Sequence, residues 1–364
     1  MKPTELYRHE RKGTTMHHKA KIYQFLLGAL FLMLTNLTLP AQDLPVIRIS
    51  VENTASHVQT KSVQRFADLL SDRLEGRYAV RFFPAASLFR DADVFRALVQ
   101  GKLEIAVPGT WQFDRYVPEV SLFLLPSLYG RDASVTYGLM ESSVGQRVVD
   151  SIEKTMDVKV LGRWIDLGYT HLFSTSRPIK RPGDMVGKRI RVAGGRGNEL
   201  RIAALGGNPL TIAWPELPNS LLNGKVDAVL TSYETIASAK LWELGIRSVY
   251  EDRQYFAQYV PISSGLFWDR LPSDVQEIVL QSWESIVDQA RREASVAQAV
   301  SRSLLVSNGV AITLAGTEQI RQTRGKLVTE EPRIVQQLGI PSGLYELFSD
   351  YMKGIDTPAS GDVR

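Results

Sequence analysis

Val46-Ile47-Arg48-Ile49-Ser50-Val51 alternates in part and is rich in β-branched residues, which is how a strand reads. Val63, Phe66, Ala67, Leu70 and Leu74 then recur at helical spacing on one face, and Gly76 ends the run. Tyr78 to Phe83 reads as a second strand, closed by Pro84. Asp91 is placed to cap a helix bearing Val94, Phe95, Leu98 and Val99, which Gly101 stops. Leu103 to Val107 makes a third short strand. Strand, helix, strand, helix, strand in that order predicts a parallel sheet with crossover helices.

Toward the C-terminus the pattern returns. Val158 to Leu161, His171 to Phe173 and Lys188 to Val192 read as strands. A helix is predicted near Asn198–Leu205, a turn at Gly206-Gly207-Asn208-Pro209, a helix at Pro215–Asn223 and a strand from Val226 to Leu230. Two similar α/β lobes are therefore expected. After Trp268, Ser273-Asp274-Val275-Gln276 has the form of a capping box. Val275, Ile278, Val279, Trp283, Ile286, Val287 and Ala290 then form one apolar stripe. The helix is predicted to reach about Ser307, long enough to brace both lobes, and the tail over 355–364 to be disordered.

Toward the N-terminus, Lys19 and Lys21 precede an apolar run from Phe25 to Leu34, and Leu39-Pro40-Ala41 follows. A positive start, a short apolar centre and a small terminal residue predict a cleavable secretory signal peptide over 1–41, with Met16 as a second candidate start. The run is about half of the roughly 20 residues that span a bilayer. Six Lys/Arg against two Asp/Glu in this leader account for the whole net charge of +4. The remainder has 37 basic and 37 acidic residues, so a nucleic-acid partner loses its electrostatic basis. The chain has no cysteine, which removes disulfides, thiolate metal sites, thiol nucleophiles and a lipidated N-terminal cysteine.

Catalytic signatures are missing. After the leader only His57 and His171 remain, and there is no HExxH, Gly-x-Ser-x-Gly or Gly-x-x-x-x-Gly-Lys. No carboxylate or histidine cluster has metal-ligand spacing, so no metal or cofactor is predicted. Gly194-Gly195-Arg196-Gly197 follows a strand and precedes a helix without matching GxGxxG. It reads as a tight turn at a helix N-terminus, a place that suits an anion.

Longer stretches carry a family likeness. They are Arg177-Pro178-Ile179, Gly183-Asp184-Met185-Val186-Gly187-Lys188-Arg189-Ile190-Arg191-Val192, Ala204-Leu205-Gly206-Gly207-Asn208-Pro209, Leu222-Asn223-Gly224-Lys225-Val226-Asp227 and Phe267-Trp268-Asp269-Arg270-Leu271-Pro272. Asp91-Ala92-Asp93-Val94 with Leu98-Val99-Gln100-Gly101 adds to them. In this order and spacing the chain resembles the DctP-like substrate-binding subunits of tripartite ATP-independent periplasmic (TRAP) transporters over nearly all of 45–300. The resemblance implies an α/β, two-lobed fold of the type II periplasmic-binding-protein kind, with hinge strands and a long bridging helix. Lobe I would be 42–168 plus about 257–297, and lobe II about 169–256 plus 298–354. It also implies a periplasmic monomer that encloses a small organic acid and hands it to ion-driven TRAP permease subunits. A two-lobed protein serving an ATP-driven importer or a sensor system is the alternative reading, and a periplasmic enzyme the other.

The resemblance assigns Arg191 to the ligand carboxylate, and the chemistry fits, because a guanidinium is planar, permanently charged and pairs bidentately. Trp214 would lie against the ligand, and Thr231 and Tyr233 would reach it from a loop after a strand. From the other lobe Glu52, Thr110 and Gln112 are candidates, while His57 reads as a helix-start residue. The family's Gly-Phe-Arg-His is here Gly168-Tyr169-Thr170-His171, so a second arginine clamp is missing and Tyr169, Thr170 and His171 stand in its place. Trp111, Phe113, Trp164, Tyr169, Trp214 and Tyr233 are expected beside the cleft. One arginine with aromatic walls suits a monocarboxylate.

Overall fold

The computed structural model describes residues 44–356. The expected signal peptide over 1–41 and most of the expected tail lie outside them. The strands are β1 (Val46–Ser50), β2 (Ala79–Phe83), β3 (Ile105–Ala106), β4 (Val158–Val160), β5 (Ile165–Tyr169), β6 (His171–Ser174), β7 (Arg189–Val192), β8 (Asn208–Thr211), β9 (Ala228–Thr231), β10 (Ser248–Glu251), β11 (Phe256–Tyr259), β12 (Ile262–Ser264) and β13 (Ala311–Leu314). The helices are α1 (Val58–Arg73), α2 (Asp91–Val99), α3 (Ala133–Glu141), α4 (Ser143–Met156), α5 (Arg196–Ala204), α6 (Leu217–Leu222), α7 (Tyr233–Ser238), α8 (Gly265–Trp268), α9 (Ser273–Ser307), α10 (Thr317–Leu338) and α11 (Ser342–Asp356).

Two mixed sheets form the lobes, in the orders β2-β1-β3-β12-β4 and β13-β10-β6-β9-β7-β8. The expected parallel pairings occur between β1 and β2, β1 and β3, β7 and β8, and β7 and β9. β12 and β6, however, run antiparallel to their neighbours. Both strands directly follow hinge strands, so the chain enters each sheet from the other lobe instead of crossing over a helix. The hinge strands β5 and β11 pair antiparallel, with a register shift at Ala257/Gln258.

Chain order explains several local details. β8 begins at Asn208, where a turn was expected, and it tolerates Pro209 because it is the edge of its sheet and can lack a donor there. The expected capping box does not form. Pro272 holds the N-cap position without a side-chain bond, and Gln276 donates instead to the Trp268 carbonyl at 2.9 Å.

The apolar stripe of α9 is buried as its spacing requires. Val275, Val279, Trp283, Ile286, Val287 and Ala290 are all inaccessible or nearly so. The Trp283 ring meets Phe66 of α1 edge-on at 5.3 Å, and its Nε1 donates to the Arg163 carbonyl at 2.9 Å. Further along, α9 packs on hinge strand β5 and on α7. The 298–354 segment, expected in the second lobe, divides between the two. β13 pairs with β10 in the second sheet, whereas α11 packs on α3 and α4, with Leu344 and Phe348 in the same apolar cluster as Val144 and Val148.

Candidate functional site

Arg191 is the third residue of β7. Period-two alternation sends its neighbours Ile190 and Val192 into the core, both fully buried. Arg189, on the same side as Arg191, lies at the outer end of the strand and forms a two-pronged bond with Asp227, at 3.1 and 2.9 Å. Arg191 instead is 2% exposed. Its Nε donates to the Ile212 carbonyl at 3.0 Å, and its Nη2 is buried without any hydrogen-bond partner. Burial pushes the guanidinium down to about 10, opposed by Glu52 and Tyr255, so it stays cationic at neutral pH. A buried cationic donor left unspent is costly, which makes it a natural receptor for an anion.

The first lobe supplies the facing surface. A cavity of about 300 Å³ is lined by Glu52, Trp111, Gln112, Gly194, Thr211 and Ala213, among others. Trp111 stands edge-on to Tyr259 of β11 at 5.5 Å, and Gln112 Nε2 donates to the Ala193 carbonyl at 3.4 Å. Thr110 is buried in the same turn. Glu52 Oε1 accepts the Asp91 N–H at 3.2 Å, and burial is the main cause that raises both carboxyls above their ordinary range. Asp91 was expected as a helix cap. It is instead the first residue of α2, with its side chain buried.

The Gly194–Gly197 turn lies directly against this surface. A Cβ on Gly195 would come within 3.1 Å of the Trp111 carbonyl, and one on Gly197 within 3.0 Å of Leu124 Cβ. The anion expected at the α5 N-terminus is a protein group, because Asp114 of the first lobe accepts the Gly197 N–H at 3.3 Å. Further contacts join the lobes. Glu234 at the start of α7 accepts the Val58 N–H at 3.0 Å and pairs with His57 Nε2 at 2.8 Å. His57 also caps α1, its Nδ1 accepting the Gln59 N–H.

The Gly168–His171 segment is split by alternation. Thr170 turns inward and is self-satisfied, since its N–H and Oγ1 both donate to the Tyr255 carbonyl, at 3.0 and 3.2 Å. Tyr169, His171 and Tyr233 do not join Arg191. They line a separate cavity of about 330 Å³ beside α9, with Tyr137, Phe256 and Arg302. Thr231 ends β9 opposite His171 and is buried. Trp214 is half-buried and packs against the second lobe's cluster around Leu217. Phe113 and Trp164, expected beside the cleft, belong to the first lobe's core, because each is enclosed by apolar neighbours such as Phe95 and Phe123.

Asp91, Asp114, Glu234 and Tyr255 were not foreseen as parts of this site. Only Asp91 had a signal, an acidic residue opening a helix. The others become meaningful once the lobes are seen to touch. Among the described residues no group of three His, Asp or Glu side chains is placed to hold a metal ion, and no helix is long and apolar enough to cross a membrane.

Comparison with known proteins agrees with this architecture. A family model described as bacterial extracellular solute-binding protein, family 7 (DctP), matches residues 49–331. The C4-dicarboxylate-binding periplasmic protein DctP of Shewanella loihica is 27% identical over 227 residues, covering 61% of this chain and 65% of that protein. A solved sugar-acid-binding protein of Advenella mimigardefordensis, in complex with galactonate, superposes with a TM-score of 0.79 at 20% identity, covering 86% of this chain and 99% of that one. A TRAP periplasmic solute-binding protein of Ralstonia eutropha with bound (S)-2-acetolactate gives 0.77 at 24% identity, covering 85% and 98%.

Proposed function

The chain belongs to bacterial extracellular solute-binding protein family 7, whose members bind solutes and are not enzymes, and from that premise we propose that it is the periplasmic receptor of a TRAP transporter for a small monocarboxylate. The observation that carries this reading is the Arg191 guanidinium, fully enclosed at the junction of the lobes with Nη2 unbonded. The ligands named for similar proteins are organic acids, among them acetolactate and galactonate, which supports an anionic solute. One cationic socket is present, and the place of a second is held by the self-satisfied Thr170. A second carboxylate would therefore enter a region that already holds Glu52 and Asp91.

The cycle follows from geometry. A carboxylate pairs with Arg191 from the open side, and closure brings the Thr110–Gln112 turn of the first lobe over the rest of the ligand. Closure is favoured because the closed form makes contacts that the open form lacks. Release to the membrane permease requires those contacts to break. Titration calorimetry of a panel of mono- and dicarboxylates tests the assignment. A monocarboxylate should bind, and Arg191→Ala should weaken it by about 2–5 kcal/mol, as for truncating one partner of a buried charge pair. Arg191→Lys should also bind poorly, because the planar fork is lost. Unchanged affinity in Arg191→Ala, or tight binding of dicarboxylates alone, overturns the assignment.

A further inference from the structure

The charge around Arg191 does not balance, and the imbalance identifies the ligand more closely. Neither Glu52 nor Asp91 has an ion-pair partner among the described residues, although Glu52 lines the cavity and Asp91 is 4% exposed. Most other charged groups nearby are already engaged. Arg90 pairs with Glu216 at 3.1 Å, Arg196 with Glu199 at 2.9 Å, and Asp114 is spent on the α5 N-terminus. Arg115 also lines the cavity, but it is exposed and lies over the Tyr116 ring at 5.4 Å. Beside the buried guanidinium of Arg191 there are thus two carboxyls without an ion pair, half-buried Glu52, which faces the cavity, and fully buried Asp91.

A ligand carboxylate on Arg191 takes up the one buried cation that offsets these carboxyls. An anion without a compensating group would leave two acids enclosed beside it, which a low-dielectric site penalises heavily. We propose that the ligand is a small zwitterion of the amino-acid class, its carboxylate on the unpaired face of Arg191 and its ammonium between Glu52 and Asp91. Such a ligand adds no net charge to the site and gives each charged group a partner. This inference rests on the carboxylate role of Arg191 argued above and adds the cationic half of the ligand.

Two further features agree. Burial is the main cause that holds both carboxyls up; Glu52 adds to it at Asp91, while Arg191 and Arg90 pull Glu52 the other way without cancelling it. Trp111 lines the same cavity, and an indole ring suits packing on a side chain or on an ammonium.

The test is a thermal-shift and calorimetric panel on the full-length protein without its leader. It uses the proteinogenic amino acids together with β-alanine and 4-aminobutyrate, each beside its 2-hydroxy or deaminated counterpart. At least one amino acid should bind, and loss of its amine should weaken binding about 10- to 100-fold, the range for a hydrogen bond to a charged group. Glu52→Gln should shrink that gap while the unliganded melting temperature stays near that of the parent. If the strongest binder is a plain monocarboxylate or hydroxy acid, or if no amino acid binds, the zwitterion is wrong while the Arg191 assignment stands. If an amino acid binds Arg191→Ala as tightly as the parent, the failure lies in the carboxylate assignment itself.

Discussion

His171 shows how one position in the hinge sets a pH response. It opens β6, its Nδ1 accepts the Arg253 N–H at 3.1 Å, and its ring meets Tyr233 at 5.3 Å. That bond leaves the proton of the neutral ring on Nε2. Burial pushes its pKa down to about 4, with Glu251 opposing and Arg253 and Arg302 assisting. An unfolded histidine titrates near 6.5, so between about 6.5 and 4 the unfolded chain binds a proton that the folded chain refuses. The stability from this group is fully present above about 6.5 and is lost as pH falls toward 4, by about 3 kcal/mol at 1.36 kcal/mol per unit. Asp252 works the other way. Burial raises it to about 7, so its contribution is greatest in acid and is lost as pH rises through that value. In His171→Gln, which keeps an acceptor for Arg253, urea denaturation should show less destabilisation on going from pH 7 to pH 4.5 than in the parent. Imidazole NMR signals of His171 should stay neutral through pH 5.5. A ring titrating near 6.5 contradicts the burial account.

At the scale of elements, the sequence was most legible where periodicity ran long. The stripe from Val275 to Ala290 marked α9, and Val63, Phe66, Leu70 and Leu74 marked the buried face of α1. Ends were harder to read. Ser273 looked like a cap but is the first helical residue, since Pro272 enters the helix unaided. The Gly168–His171 segment was legible as a strand boundary, but alternation alone does not say which side meets the ligand. That depends on α9 covering the Tyr169 and His171 side, a contact made by residues more than a hundred positions away. The Gly194–Gly197 turn was legible as a helix start, and its real constraint is the opposite lobe. Gly195 has a φ of +86° and would place a Cβ against Trp111. Gly195→Val combines backbone strain with that collision, and only the collision depends on closure. Its ligand affinity should fall by about tenfold or more, as for roughly 1.4 kcal/mol. Trp111→Ala combined with it should relieve neither part, because alanine keeps the carbonyl and the Cβ that the new side chain meets. If Gly195→Val binds ligand like the parent, the turn does not limit lobe approach.

For the whole molecule, affinity has two sources, contacts to the ligand and contacts between the lobes. The second kind is visible without any ligand. Glu234 receives the Val58 N–H and His57 from the first lobe, and Asp114 receives the α5 N-terminus of the second. When the lobes part, water can satisfy each of these groups. Inside the junction their loss leaves buried donors unpaired, at about 1–3 kcal/mol each. Glu234→Ala should therefore penalise the closed form far more than the open one. A penalty confined to the closed form lowers the competent population and raises the apparent Kd in proportion. Because the substitution touches no proposed ligand contact, the weakening should appear mainly as faster dissociation, with association little changed. Small-angle scattering should show a larger radius of gyration for unliganded Glu234→Ala than for the parent, and saturating ligand should narrow the difference. His57→Ala alone should do less, since it leaves the Val58 bond in place, and the double variant should fall short of the sum because the pair shares one carboxylate. Identical scattering and dissociation rates in Glu234→Ala and the parent would show that closure is driven by the ligand alone.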